Sequence, residues 1–562
     1  MRLGAGRMRS FVSIVQILVV ANEAPAQQLR GIVRDSLTRQ PIPAAVVILQ
    51  DSAARQVSRS VTNDRGEYEL PLSSSVRFVR VLRLGFRPRE LAIPAASDAG
   101  RVDIVMMPVP TLLDPVRLIV GARCPRAPDQ AAAVALLEQA RAGLLSTIVA
   151  RETHVARLLV LKFIRTMDGT SDRIARQEVR MESTLPVAKS FEAVRSAGDV
   201  VRLGFTAGRG EATRFFGVDA DVLLDSSFAD SYCFRIHQPD SARPNQIGLS
   251  FARPTSRSGR TDIDGTLWID TAARVLRDIE YRYVGFGRTI ETERPGGRTH
   301  FHQMPNGVVA IDRWSLRAVF SETDTISGDE RSRWQRQVRT VLSAVETGGE
   351  LAEATWLDGV SWRGNLGRLV VHGKSRDHGA PLGTEVRLVG TDYIAAVDST
   401  GGFSIPHLVP GPYSLSVVDP RLSPLGIDVP TSFKFVAARD SVVDMTIDLP
   451  TTEEFVADRC RTARFYDGAT RSYILGRATT PAGEPVEDAV ISVLRSFGAG
   501  DWRPIRVRMR TDAEGLFQFC TADLEPGETV IVRATWRDGS SSDVKQRLER
   551  LSVVRVVAEP RF

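Results

Sequence analysis

The chain has 562 residues, 43% of them hydrophobic and 25% charged, with a formal charge of +6. Length suggests three or four domains, and this usage is that of a folded globular protein rather than a disordered or fibrous one. Only five basic residues are Lys, and the Arg are scattered without an aromatic-interleaved cluster, which argues against a nucleic-acid partner.

The N-terminus comes first. Arg2, Arg7 and Arg9 make a basic start. Phe11 to Ala21 is an apolar run broken only by Ser13 and Gln16, and Ala24-Pro25-Ala26 follows. These are the three parts of a secretory signal peptide, which predicts cleavage after Ala26 and a mature chain in the periplasm or at the outer-membrane surface. The run is too short for a bilayer-spanning helix, which needs about 20 residues. No Cys follows it, so a lipoprotein anchor is not expected, and no later stretch reads as a membrane-spanning helix.

Residues 27–109 read as short strands. Gly31-Ile32-Val33-Arg34-Asp35 opens the segment and Pro41-Ile42-Pro43-Ala44-Ala45-Val46 follows. Asn63 stands three before Gly66 with Tyr68 close behind, and Arg77 to Leu84 alternates before Gly85-Phe86. A linker, 110–128, contains Leu113-Asp114-Pro115-Val116. Residues 129–350 form a different unit. Ala131 to Ala150 carries apolar residues at helical spacing and no Pro, and is the one long helix expected. Arg157 to Ile164, Glu178 to Glu182, Val200 to Phe205 and Ile247 to Ala252 read as strands. Gly265 to Asp270 turns at Thr271-Ala272-Ala273 into Leu276 to Tyr283, and Pro305-Asn306-Gly307 turns ahead of Ala310 to Phe320. One helix with an antiparallel meander has a faint resemblance, over Gly265 to Phe320, to the half-barrel of lipoprotein-carrier proteins.

The first pattern then returns twice, at 351–450 and 451–562. Pro381-Leu382-Gly383-Thr384-Glu385-Val386 and Pro485-Val486-Glu487-Asp488-Ala489-Val490 repeat its opening. Asp398, Gly401 and Phe403, then Asp512, Gly515 and Phe517, repeat its turn, and Tyr413 to Val417 and Thr529 to Ala534 its closing strand. An Asx side chain bonds the backbone two residues on, and Gly supplies positive φ. The aromatic then opens a strand with its side chain toward a core at period two. Short strands punctuated this way predict an antiparallel sandwich. On these residues the three segments resemble carboxypeptidase regulatory-like domains, a transthyretin-like β-sandwich family. The resemblance implies accessory modules and no peptidase. Such modules also precede TonB-dependent receptors, but here the chain returns to sandwiches where a long barrel would follow. The fold expected is mainly β: three such sandwiches plus a central α+β domain with one long helix and an antiparallel sheet, a half-barrel being one form for it.

Cys124, Cys233, Cys460 and Cys520 are an even set with no C-x-x-C, which in an exported chain favours disulfides. Chain order suggests Cys124–Cys233 and Cys460–Cys520. The search for chemistry finds isolated pieces. His300-Phe301-His302 places two imidazoles on one strand face without a recognisable third ligand. Asp262-Ile263-Asp264-Gly265 lacks the distal Glu of a calcium loop and reads as a turn. Gly373-Lys374-Ser375 lacks the earlier Gly of a P-loop, because residue 368 is Arg. Ser542 and Lys545 fit S-x-x-K without its companion motif. No catalytic, metal or cofactor residues are assigned. The expectation is a non-catalytic envelope protein that binds or scaffolds a polymer or protein partner, with carbohydrate the first ligand to test. A lipid- or lipoprotein-binding central half-barrel and an unrecognised hydrolase are the alternatives.

Overall fold

Asn63, Asp398 and Asp512 do the same work in three places. Asn63 Oδ1 accepts the backbone N–H of Arg65 and Glu67 at 3.0 and 2.9 Å. Asp398 Oδ1 accepts those of Thr400 and Gly402, both at 2.8 Å, and Asp512 Oδ1 those of Glu514 and Leu516 at 3.1 and 2.7 Å. Gly66, Gly401 and Gly515 complete the turns at φ of +69°, +83° and +70°. Tyr68, Phe403 and Phe517 are then buried.

The computed structural model describes residues 27–93, 100–109, 124, 130–168, 171, 173–184, 195–208, 212–239, 241–254, 260–286, 288–291, 293–327, 335–373, 384–461, 472–498, 500–521 and 523–558. The expected signal peptide, Leu113 to Val116, Lys374, Ser375 and Pro381 lie outside the described residues.

Around these turns three seven-strand sandwiches form. The first has β1 Gln28–Asp35, β2 Val46–Asp51, β3 Gln56–Val61, β4 Glu67–Pro71, β5 Val76–Leu82, β6 Arg89–Ala92 and β7 Ile104–Met106. Its sheets run β4-β1-β7 and β3-β2-β5-β6, with β7 parallel to β1. After it come α1 Gln130–Thr153, β8 Ala156–Met167, β9 Ile174–Thr184, α2 Ala197–Leu203, β10 Thr206–Ala207, β11 Arg214–Phe215, α3 Ala220–Leu224 and α4 Ser226–Ser231. Then follow β12 Cys233–His237, β13 Gln246–Ala252, β14 Asp262–Asp270, β15 Val275–Val284, α5 Arg288–Glu291, β16 Gly296–Gln303, β17 Val309–Ser327, β18 Gln335–Trp356 and β19 Ser361–Arg363. The second sandwich has β20 Gly367–Gly373, β21 Glu385–Leu388, β22 Ile394–Ala396, β23 Phe403–Leu408, β24 Gly411–Val418, β25 Val429–Ala437 and β26 Val442–Ile447. After α6 Thr452–Arg461, the third has β27 Ser472–Thr479, β28 Val490–Ser496, β29 Trp502–Arg510, β30 Leu516–Thr521, β31 Thr529–Thr535, β32 Ser541–Arg547 and β33 Leu551–Val557. Their sheets, β23-β20-β26 with β22-β21-β24-β25 and β30-β27-β33 with β29-β28-β31-β32, repeat the first strand for strand.

The central sheet has ten antiparallel strands in the order β12-β13-β14-β15-β16-β17-β18-β8-β9, with β19 beside β18. Its register is marked by aromatic rings lying over glycines directly opposite. The pairs are Trp268 over Gly248, Phe251 over Gly265, Tyr281 over Gly297, Phe163 over Gly348 and Trp314 over Gly349. A Cβ at Gly349 would stand 2.3 Å from Trp314, so the glycine is what lets the indole lie flat.

α1 lies between this sheet and the first sandwich. Leu136, Ala140, Leu144 and Ile148 share one core with Leu267, Leu276, Ile279 and Phe301 of the sheet and with Ala44 and Leu84 of the sandwich. Val149 and Ala150 pack with Val46, Ile48 and Val61. Ser146 Oγ donates to the Ala44 carbonyl at 2.8 Å, and Gln139 Oε1 accepts the Gly85 N–H at 2.7 Å.

Four expectations are corrected. Val200 to Phe205 is not a strand: Val200 and Val201 lie in α2, where Ser196 Oγ accepts the Asp199 N–H at 3.2 Å as N-cap. Asp262 to Gly265 is not a turn but the start of β14. Asp262 is buried there, 2.6 Å from Arg253, and accepts the Tyr232 hydroxyl at 3.0 Å. The boundary expected at 350 falls inside β18, which runs on to Trp356 because β8 pairs with it as far as Ala156. Finally, Ala132–Thr153 is long and apolar enough to cross a membrane by length and composition. Its apolarity is spent on covering two protein surfaces.

Candidate functional site

Among the described residues, a concavity lies at the C-terminal end of α1. Thr147, Ile148, Ala150 and Arg151 of the helix meet Ala156 and Leu158 of β8, Val309 to Ile311 of β17 and Leu351 and Trp356 of β18 around a cavity of about 100 Å³. Its walls are mostly apolar. Polar groups come from Arg151, His154, Asp219 and Thr147. The Arg151 guanidinium stands 3.9 Å from the Asp221 carboxylate. Asp219 Oδ1 accepts the Val222 N–H at 3.0 Å as N-cap of α3, and Thr147 Oγ1 donates to the Leu144 carbonyl at 2.8 Å. His154 Nδ1 lies 3.0 Å from Thr153 Oγ1, and burial holds its pKa below the usual histidine value, opposed by Asp358. Apolar walls with an imidazole, one guanidinium and one carboxylate at the rim suit a compact apolar group with a polar end. Nothing in the sequence marked this site, since its walls come from five separate elements.

The residues singled out in sequence go elsewhere. His300 Nδ1 is 2.5 Å from Asp312 Oδ1, and the bulge in the β16–β17 register beside His300 lets Asp312 reach it. His302 packs its ring 5.4 Å from Trp362. Burial lowers its pKa; Asp312 opposes this, while His300, Arg277 and Arg313 add to the lowering. Among the described residues no group of three His, Cys, Asp or Glu is placed to hold one. Ser542 and Lys545 are three apart on β32 and so point to opposite faces. Ser542 Oγ accepts the Trp536 indole N–H at 3.1 Å, and Lys545 lies over the Trp502 ring. Trp268 is no open platform: one ring face lies on Gly248, the other meets Arg243 at 4.2 Å, and its N–H donates to Glu280 at 3.0 Å.

The cysteines form two bridges. Cys124 bonds Cys233 with Cα atoms 5.6 Å apart, tying the linker to β12, and Cys460 bonds Cys520 at 5.9 Å, tying α6 to β30. Both Cα separations lie in the ordinary range for a disulfide.

Residues 28–107 match the carboxypeptidase regulatory-like domain family. The first sandwich is a domain of that family, and the other two share its strand order. No curated protein matches the chain. Among solved structures, the Bacillus anthracis TIE protein aligns at 9% identity over 70% of this chain and 82% of its own, with a TM-score of 0.13. The Lactobacillus rhamnosus GG shaft pilin aligns at 11% identity over 35% and 99%, with a TM-score of 0.13. The major pilin subunit of Bacillus cereus aligns at 7% identity over 95% and 98%, with a TM-score of 0.12.

Proposed function

We propose that this protein, headed by a carboxypeptidase regulatory-like domain, is an exported, non-catalytic scaffold of the bacterial cell envelope that holds a polymer or protein partner. The observation that carries the reading is that two apolar clusters cross the boundaries between units. One core joins the first sandwich, α1 and the central sheet. A second joins Leu161, Phe163 and Val179 of that sheet to the second sandwich, to Val456 and Cys460 of α6, and to Tyr473, Leu475 and Leu551 of the third. Modules that share cores, with α6 also stapled to the third by a disulfide, suit a load-bearing body better than a string of independently tumbling binders.

Two experiments test this. N-terminal sequencing of envelope-fraction protein should find a chain beginning near Gln27, and co-sedimentation with insoluble envelope polysaccharide should retain it. Intact Met1 in the cytosolic fraction, together with no retention by any envelope polymer or protein, would sink the proposal.

The cavity beside Trp356 favours a second reading, a central sheet that binds lipid or lipoprotein. Its volume of about 100 Å³ admits a chain end or a branched side chain, whereas pockets for drug-sized ligands run to roughly 300–1,000 Å³. Displacement of a lipid-like fluorophore by short fatty acids, lost in Leu351→Trp, is the result this second reading requires.

A further inference from the structure

Arg83 follows β5, the strand between β2 and β6 in the first sandwich, and is only 5% exposed. Its guanidinium makes no hydrogen bond or ion pair among the described residues, and its Nε is buried without a partner. Burial pushes its pKa down to about 10, and the charge of neighbouring Arg274 adds to the shift. Uncompensated buried cations are rare because desolvation is so costly, and an orphaned buried donor calls for a missing partner.

Arg274 is itself held in place. It sits in the turn between β14 and β15 at φ +53°, a left-handed conformation uncommon for a residue other than glycine. Its stem lies over Gly85, where a Cβ would stand 2.6 Å from Cδ, and its guanidinium meets the Phe86 ring at 4.8 Å. The carboxylate facing it is Asp35, whose Oδ2 is 3.6 Å away, beyond hydrogen-bond reach. Asp35 Oδ1 is already engaged by the Leu37 N–H at 2.7 Å. Nearby Gln139 is spent on the backbone of Gly85 and Phe86. Arg83 stands two residues before Gly85, on which the Arg274 stem lies, so two guanidiniums come to this junction of sandwich and central sheet, where Asp35 is the carboxylate that faces Arg274.

We infer that Arg83 and Arg274 form a site for a small oxyanion, phosphate or a carboxylate, bound between the first sandwich and the β14–β15 turn. A guanidinium fork recognises two oxygens of one group, which distinguishes this chemistry from a bare halide. Arg274 gives the site its exposed edge, its side chain being about one-third exposed.

The test is thermal unfolding of the mature chain in phosphate-free buffer, titrated separately with phosphate, acetate and chloride at constant ionic strength. Phosphate or acetate should raise Tm by about 2–4 °C over chloride, the shift of a ligand that binds only the folded state. Which of the two does so identifies the source. Arg83→Met should raise Tm in the anion-free buffer, because it removes an uncompensated buried charge, and should abolish the oxyanion response. Arg274→Gln should abolish the response as well. A wild-type response no larger than that to chloride, an undiminished response in Arg83→Met, or a fall in the anion-free Tm of Arg83→Met would each overturn the inference.

Discussion

Replacing Arg165 with Met tests whether the central sheet and the second sandwich behave as one body. Arg165, on β8, is 12% exposed, and its partner Glu346, on β18, is 21% exposed. The guanidinium donates to Glu346 at 3.0 Å, to Gln177 Oε1 at 2.7 Å and, across the module boundary, to the Pro410 carbonyl at 2.6 Å. It also lies 4.0 Å from the Phe163 ring centroid. Methionine keeps the apolar stem and removes all three bonds, leaving Glu346 without its cation. Breaking a buried pair from one side costs about 3–5 kcal/mol, and the residual exposure here points to about 3 kcal/mol. Among the ties that remain are Arg439–Glu350 at 2.5 Å, Arg180–Asp392 at 2.8 Å, His407–Glu353 at 3.1 Å, the Met181 N–H to Asp392 at 3.0 Å and the apolar core shared by sheet and sandwich. They leave the sandwich attached but loosened. Urea unfolding should show a lower midpoint, and proteolysis at Gly364-Asn365-Leu366, which joins β19 to β20, should quicken. Arg165→Met combined with Glu346→Gln should recover part of the loss. A single variant with an unchanged midpoint and unchanged protease resistance would refute the reasoning.

Three further outcomes follow from single sites. Replacing Cys460 and Cys520 together with Ala opens a link spanning 60 residues, for which chain entropy gives roughly 4 kcal/mol; guanidinium unfolding should show the third sandwich melting first, and no shift would count against that link. Gly349→Ala forces a methyl against Trp314 and should cost about 1–3 kcal/mol by overpacking, while Gly100→Ala, with nothing within 4 Å, should cost little; equal melting points would remove the aromatic–glycine argument. His154 takes up a proton less readily in the fold than in the unfolded chain, because burial lowers its pKa. The unfolded state then binds more protons, so stability should decline as pH falls below about 6.5, and His154→Gln should flatten that part of the profile.

What was legible in the sequence was local. The Asx, Gly and aromatic of each turn lie within six residues, and their chemistry completes itself there, so three sandwiches could be read from nine positions. The matching device in Thr62 and Thr511 escaped notice. Thr62 Oγ1 donates to the Ile42 carbonyl at 2.7 Å and accepts the Ala45 N–H at 2.9 Å, and Thr511 does the same with Val486 and Ala489. Each threonine stands about 20 residues from its partners, so no short window contains the motif. Val200-Val201 misled because paired β-branched residues favour strands, while Ser196 three before Asp199 was the cap that decided for a helix. Asp264-Gly265 resembled a turn because both residues favour one. The reason for the glycine was Phe251 on the next strand, a partner visible only once the sheet is assembled.

α1 gives the same point a consequence. Its apolar residues at helical spacing announce a helix, but so many of its positions are apolar that only a narrow polar strip, with Glu138 and Glu152 exposed, remains. A helix that is apolar nearly all round needs cover on both sides, and here the sheet takes one side and the first sandwich the other. The family resemblance implies an accessory module, which a chain could lose without harm to the rest. The contacts of α1 argue otherwise. Removing residues 28–107 would uncover Leu144, Val149 and Ala150 and strand the Ser146 hydroxyl and Gln139 amide that now bond to the Ala44 and Phe86 carbonyls. A chain truncated to begin at Cys124 should therefore bind an apolar dye such as ANS, unfold at lower urea and aggregate at concentrations where the mature chain stays dispersed. If it instead remained monomeric, with an unchanged midpoint and no added dye binding, α1 would have found its cover in the central sheet alone and the sandwich would be a removable head.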